Sequence, residues 1–393
     1  MLFQSVDSKK FVGVYVDGII HRDNLPKGIN TTWGYCSFLP DDITYASLYC
    51  KGKPIDEVCP EDLLSHWKHI SGGLKAHLSA CQEAKVDLQD ICFLDVIPER
   101  LLLDFCEIKN KITEHVLENY PRPENYDFLF NLERILADIR SRKVNLDLDV
   151  LKPHLISAHA RAVYKRLQRT GRVINYDAHK TKTGRLTTKK DSFPILTLNK
   201  TFRQAIMPNN DYFVELDFNA AELRTLLSLL GKEQPAGDIH EWNIKNVYRG
   251  HVTREEAKKR IFAWLYNPES KDHLSNHAYS RDEILEKHWD GEYITTCFGR
   301  KIKADKHHAV NYTIQSTTSD LFLKRTIEVD KILRDRKSYI AFTLHDSLVI
   351  DFAKEDTNIL RDAVETFQDT DLGRYTVNVS VGDNFGEMKR LRL

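Results

Sequence analysis

"YIAFTLHDSLVIDF", residues 339–352, consists of two apolar runs separated by His345 and Asp346. β-Branched and aromatic runs of this length with a two-residue polar gap read as a buried hairpin, with Asp346 at its turn. "DYFVELDFNAAELRTLLSLLG" (211–231) reads as a short apolar strand ending at Asp217, followed by a helix from about Ala220. One aspartate at a strand end is usually a turn residue or a helix cap. Two buried strands that each deliver a carboxylate are what a two-metal phosphoryl-transfer centre requires. Carboxylate oxygens suit hard cations such as Mg²⁺, and a pair of ions about 3.5–4 Å apart can clamp both attacking and leaving oxygens.

"REEAKKRIFAWLY" (254–266) places Arg254, Lys258, Phe262 and Tyr266 four residues apart. Each step of four advances about 40° around a helix, so the four side chains share one slowly winding stripe. Thr253 as N-cap and Glu256 three residues on form a capping box, and Pro268 follows the end. Two readings stay open on these residues alone. One is a surface helix with its cations in water and its rings packed inward. The other is a face that holds something anionic at one end and planar at the other, as a nucleotide is.

The whole-chain net charge of zero hides a local bias. Residues 151–210 hold thirteen Lys and Arg against two acids, Asp177 and Asp191, a local charge of +11. A phosphate backbone selects local charge of this kind. The seven cysteines contain no C-x-x-C pair, which argues against a zinc ribbon or a disulfide framework and for a reducing compartment. No apolar run is long enough to span a membrane, and no charged-then-apolar leader opens the chain. Residues 10–52 read as short strands ("KFVGVYVDGIIHR", "DITYASLYCKGK"), and residues 61–118 read as helical. After the break at "PRPENY", "DFLFNLERILADIRSRKV" again carries apolar residues at helical spacing.

Five stretches, in order, resemble motifs of the family A DNA polymerases: "KTGRL" (182–186), "LDFNAAELR" (216–224), "DIH" (238–240) with the 254–266 stripe, "TTCFGRK" with "NYTIQSTTSD" (295–301, 311–320), and "LHDSLV" (344–349). The resemblance covers roughly residues 125–393. It implies an α+β right-hand fold with an antiparallel palm sheet, helical fingers and a shortened thumb. The implied divisions are a strand-rich region 1–60, a helical region 61–125, truncated thumb helices 126–170, palm 171–235, fingers 236–300 and palm again 301–393. It implies further that Asp217, Asp346 and the backbone carbonyl of Phe218 hold two Mg²⁺, with Mn²⁺ able to substitute. Arg254, Lys258 and His240 would grip the triphosphate of a dNTP. Phe262 would stack near sugar and base, Tyr266 would sit at the template base, and Glu222 would crowd the ribose 2′-position. Arg185, Thr183, Asn311 and Gln315 would meet primer–template DNA, mainly along its minor groove. His345 would touch the primer end and Arg203 the backbone.

The departures matter. Ser347 stands where the family's H-D-E places glutamate, Asn267 and Ser316 replace glycines, and only about forty residues separate the thumb-like helix from "TGRL". Such an enzyme should hold DNA weakly unless a basic segment, the N-terminal region or a processivity or replisome protein closes over the duplex. No D-x-E strand opens an exonuclease fold, so proofreading is expected to be absent. The expected setting is a compact phage-type replicase in the cytoplasm of a bacterial or phage-infected cell. A single-subunit RNA polymerase shares the palm and H-D-S, but Glu222 and Phe262 argue against it. A non-catalytic DNA-binding subunit is opposed by retention of Asp217, Asp346 and Lys258, and a reverse transcriptase by the lack of Y-x-D-D.

Overall fold

The computed structural model describes residues 1–393 except 8–12, 37–41, 87, 89, 90, 191, 268 and 393, so Pro268, expected just past the stripe helix, lies outside the described residues. The chain divides into two compact units, Met1–Ser141 and Arg142–Leu393.

In the first unit, β1 (Phe3–Ser5), β2 (Val14–Val16) and β3 (Ile19–His21) form an antiparallel sheet in that order. Helices α1 (Glu61–Glu83) and α2 (Glu99–Asn119) account for the stretch read as helical. They close over Trp67, Ile108, Ile112 and Val116, while α3 (Tyr126–Ser141) sends Tyr126 and Phe130 against Phe3, Val14 and Val16. One expectation fails here. Residues 46–49, read as strand, form a helical turn, because the partner strand of Thr44–Tyr45 is only Thr31–Thr32 and offers no further pairing.

The second unit is built on a five-stranded antiparallel sheet. Its elements are α4 (Ala158–Arg169), β4 (Tyr212–Phe218), α5 (Ala221–Leu229), α6 (Ile239–Asn246), α7 (Arg254–Tyr266), α8 (Lys306–Leu333), β5 (Tyr339–Leu344), β6 (Ser347–Phe352), β7 (Val377–Gly382) and β8 (Lys389–Leu391). The strand order is β5-β6-β4-β7-β8. The expected hairpin is present as β5 and β6, joined by His345 and Asp346 alone. Every residue of β6 is buried, whereas β4 alternates: Val214, Leu216 and Phe218 enter the core, and Glu215 and Asp217 lie on the less buried face. Strand periodicity thus sorts the acids from the apolar residues.

Helix α7 begins with the expected capping box, Thr253 and Glu256 bonding reciprocally to each other's backbone N–H. Its core face is Ala257, Ile261, Trp264 and Leu265, packed with Leu223, Leu226, Ile239, Tyr279 and Ile314. The stripe is a different face. Lys258 and Tyr266 are exposed, and Arg254 and Phe262 are half-buried. Inward packing of both rings, the first of the two open readings, is therefore excluded.

Candidate active site

Asp217 sits at the end of β4 with Ser347 opposite it on one side and Asn378 on the other. Asp346 projects from the β5–β6 turn. Left-handed residues turn the chain beside each acid: Ala220, φ +52°, starts α5, and His345, φ +54°, precedes Asp346. The backbone at Phe218 follows Asp217 directly, and the Phe218 ring is buried against Phe367 at 4.3 Å. Burial lifts the Asp217 carboxyl from its ordinary 3.8 to about 6; Asn378, 3.4 Å from its Oδ2, opposes the rise, and the charges of Glu215 and Asp346 add to it. Burial also raises Asp346, against Arg185 and His345. Two desolvated carboxylates at one end of the central strands, one of them raised by the charge of the other, favour a bound cation.

Among the described residues no three His, Cys, Asp or Glu side chains converge tightly enough to enclose a metal. The Asp217 and Asp346 oxygens are hard donors, of the kind that suits Mg²⁺ or Mn²⁺.

Glu222, in the first turn of α5, is buried at 5% exposure and accepts hydrogen bonds from Arg185 and from the Tyr266 hydroxyl. Burial raises its carboxyl while these two donors pull it down, and the charge of Asp346 is felt at both Glu222 and Tyr266. Arg185, Glu222, Tyr266, Asp217 and Asp346 therefore form one electrostatic group. Arg185 is committed to Glu222 in this state. Its loop is fixed by Gly184, whose φ is +76° and whose missing Cβ would stand 2.5 Å from the Arg300 guanidinium. Arg300 in turn grips Asp320 with two hydrogen bonds, 2.9 and 2.5 Å. Thr183 beside it is buried at 7%.

The stripe residues sort along α7. Arg254 pairs at 2.7 Å with Asp238, which also caps α6 through the backbone N–H groups of His240 and Glu241. His240 is buried, with Nδ1 unpartnered among the described residues, and burial with the nearby Arg254 and Lys258 charges lowers its pKa. Phe262 lies 5.9 Å from the His240 ring and stacks at 11° on Tyr266. The face therefore runs from Arg254, Lys258 and His240 to two parallel rings that end at Glu222.

The other expected residues are spread over the second unit. Gln315 is partly buried on α8, and Asn311 lines a cavity of about 610 Å³ with Arg281, Lys306 and His307. His345 is exposed at the turn. Arg203 is half-buried, donating to the Leu198 carbonyl at 2.9 Å with its guanidinium 5.3 Å from the Phe385 ring centre. Four residues escaped sequence reasoning. Asn378 and Glu215 are defined by strand register, which no local pattern encodes, whereas the carboxylates of Asp238 and Asp320 lay inside quoted motifs without a partner being assigned.

No protein-family model matches the chain. A DNA polymerase I of Chloroflexus aurantiacus is 24% identical over 282 residues, a match that covers 57% of this chain and spans 30% of that protein's length. Among solved structures, the polymerase domain of Pol1 from M. smegmatis, in complex with a DNA primer–template and dNTP, superimposes with a TM-score of 0.56 at 14% identity, covering 73% of this chain and 76% of that one. The chain thus shares its fold with a polymerase domain, and in sequence it resembles the family A DNA polymerases.

Proposed function

We propose that the chain is a template-directed DNA polymerase that adds dNTPs to a primer 3′-hydroxyl. The observation that carries this reading is that the charge of Asp346 is felt at Asp217, Glu222 and Tyr266 alike, while the Tyr266 hydroxyl donates to Glu222, which links the carboxylate pair to the aromatic end of the stripe. Bound Mg²⁺ would activate the 3′-hydroxyl and neutralise the leaving pyrophosphate. Asp217 and Asp346 would hold it. Lys258, exposed, and Arg254, released from Asp238, would meet the triphosphate oxygens, with His240 beside them. Phe262 offers its ring to sugar and base, and Tyr266 fills the position next to it until the template base arrives. Glu222, anchored by Arg185, would crowd a ribose 2′-hydroxyl. The division into palm, fingers and short thumb belongs to this reading. So do lack of proofreading, a phage-type setting in a bacterial cytoplasm and dependence on an accessory protein. Among the described residues no helix is long and apolar enough to cross a membrane.

The test is primer extension on a primed DNA template with Mg²⁺, offering dNTPs and NTPs separately. Extension with dNTPs alone, lost in Asp346→Asn, supports the proposal. Preferential use of NTPs would instead favour the RNA polymerase reading that the H-D-S turn allows. In Glu222→Ala, use of NTPs relative to dNTPs should rise about tenfold or more, equivalent to losing about 1.4 kcal/mol of discrimination.

A further inference from the structure

Ser347 faces Asp217 across the β4–β6 pair, yet its hydroxyl does not turn to that carboxylate. It donates at 2.8 Å to Oε1 of Glu215, two residues earlier on β4. Strand alternation sets Glu215 and Asp217 on the same face. The donor is buried at 5% exposure, so the bond draws one Glu215 oxygen along the sheet toward the Asp217 position. Among the described residues no lysine or arginine lies within ion-pair distance of Glu215. The nearby Arg203 senses its charge but is engaged with the Leu198 carbonyl and the Phe385 ring. A half-buried carboxylate is thus oriented by a neutral donor, on the strand face it shares with Asp217, and among the described residues it has no ion-pair partner.

We propose that Glu215 supplies the third negative charge of the cation site and that Ser347 is the positioning residue that holds it there. The inference rests on the polymerase reading of Asp217 and Asp346. It accounts for a hairpin turn with one acid, because the neighbouring strand carries the missing charge. Glu215 would contribute its charge to the cation without ligating it, since among the described residues the three carboxylates do not close on one point.

The test is a titration of the full chain with Mn²⁺ alone, read by the EPR signal of free ion, beside thermal melting. Glu215→Gln keeps size and hydrogen bonding and removes only the charge. It should weaken Mn²⁺ binding about tenfold or more, within the range seen for groups just outside a metal's ligands. Ser347→Ala should weaken it less, and E215S/S347E, which returns the acid to the turn, should restore it. Wild-type affinity in Glu215→Gln, with binding lost in Asp346→Asn, would overturn this proposal and leave the polymerase reading standing. A lowered melting temperature with unchanged Mn²⁺ affinity would also overturn it, making Glu215 a counter-charge to Arg203. Wild-type Mn²⁺ affinity in Asp346→Asn would overturn both.

Discussion

Burial and two neighbouring acids hold the Asp217 carboxyl at about 6, against 3.8 in an open chain. The folded state therefore binds this proton more tightly than the unfolded state does. Linkage then sets the sign: as pH rises from about 4 to about 6 the fold loses stability at this residue, and above 6 the loss is constant. Asp217→Asn removes the charge while leaving an oxygen for the Asn378 amide. It should raise stability by about 1–2 kcal/mol at pH 7.5, a figure scaled down from the shift because the site is partly solvated. The gain should shrink to a few tenths of a kcal/mol near pH 3.5, where Asp217 is protonated in the folded state and about two-thirds so in the unfolded one. Thermal melting of wild type and variant at the two pH values checks this; an equal gain at both would mean that the charge is not its source. The same protonation predicts that cation binding strengthens as pH passes through 6, since only the ionised pair attracts Mn²⁺.

At the scale of elements, the loop carrying Arg185 depends on one glycine. Gly184→Ala adds a Cβ 2.5 Å from the Arg300 guanidinium at a φ of +76°. A left-handed alanine and a clash with an arginine pinned by Asp320 should together cost about 1–3 kcal/mol. Because part of that loss is the clash, it should shrink in an Arg300→Met background, and a double-mutant cycle of melting free energies reads the coupling. Equal losses in both backgrounds would assign the whole effect to the backbone. This loop also marks what was legible in the sequence. The hairpin, the strand to Asp217 and the capped start of α7 were all readable, because each is coded by local periodicity, turn chemistry or a cap. The resemblance then brought Gly184 and Arg300 into named motifs. That they touch, that Arg185 is bound to Glu222, and that Glu215 belongs with Ser347 depend on register and on contacts up to 132 residues apart along the chain. Strand reading failed at 46–49 for the same reason, since the length of the partner strand decided it.

For the whole molecule, the zero net charge is a cancellation between units. Residues 1–141 carry fifteen Lys and Arg against twenty-two acids, and residues 142–393 carry forty-two against thirty-five. The first unit is thus acidic and the second basic, so a polyanion is drawn to the second unit. Within it, α4 displays Arg161, Lys165, Arg166 and Arg169 to solvent around the buried Ala160 and Leu167. Arg161 folds back onto the Leu155 and Ile156 carbonyls, while among the described residues Lys165, Arg166 and Arg169 meet no carboxylate. An unneutralised row on a helix of this length can lie along one phosphate backbone. Each phosphate contact contributes about 0.9 to the slope of log affinity against log salt on duplex DNA. In the full chain, K165Q/R166Q/R169Q should therefore flatten that slope by about 2–3, measured by fluorescence anisotropy of a labelled primer–template between 50 and 200 mM salt. The loss should be the same for unrelated duplex sequences, because phosphates carry no base information. An unchanged slope would place the duplex on another surface of the basic unit, and a loss confined to one sequence would make α4 a reader of bases.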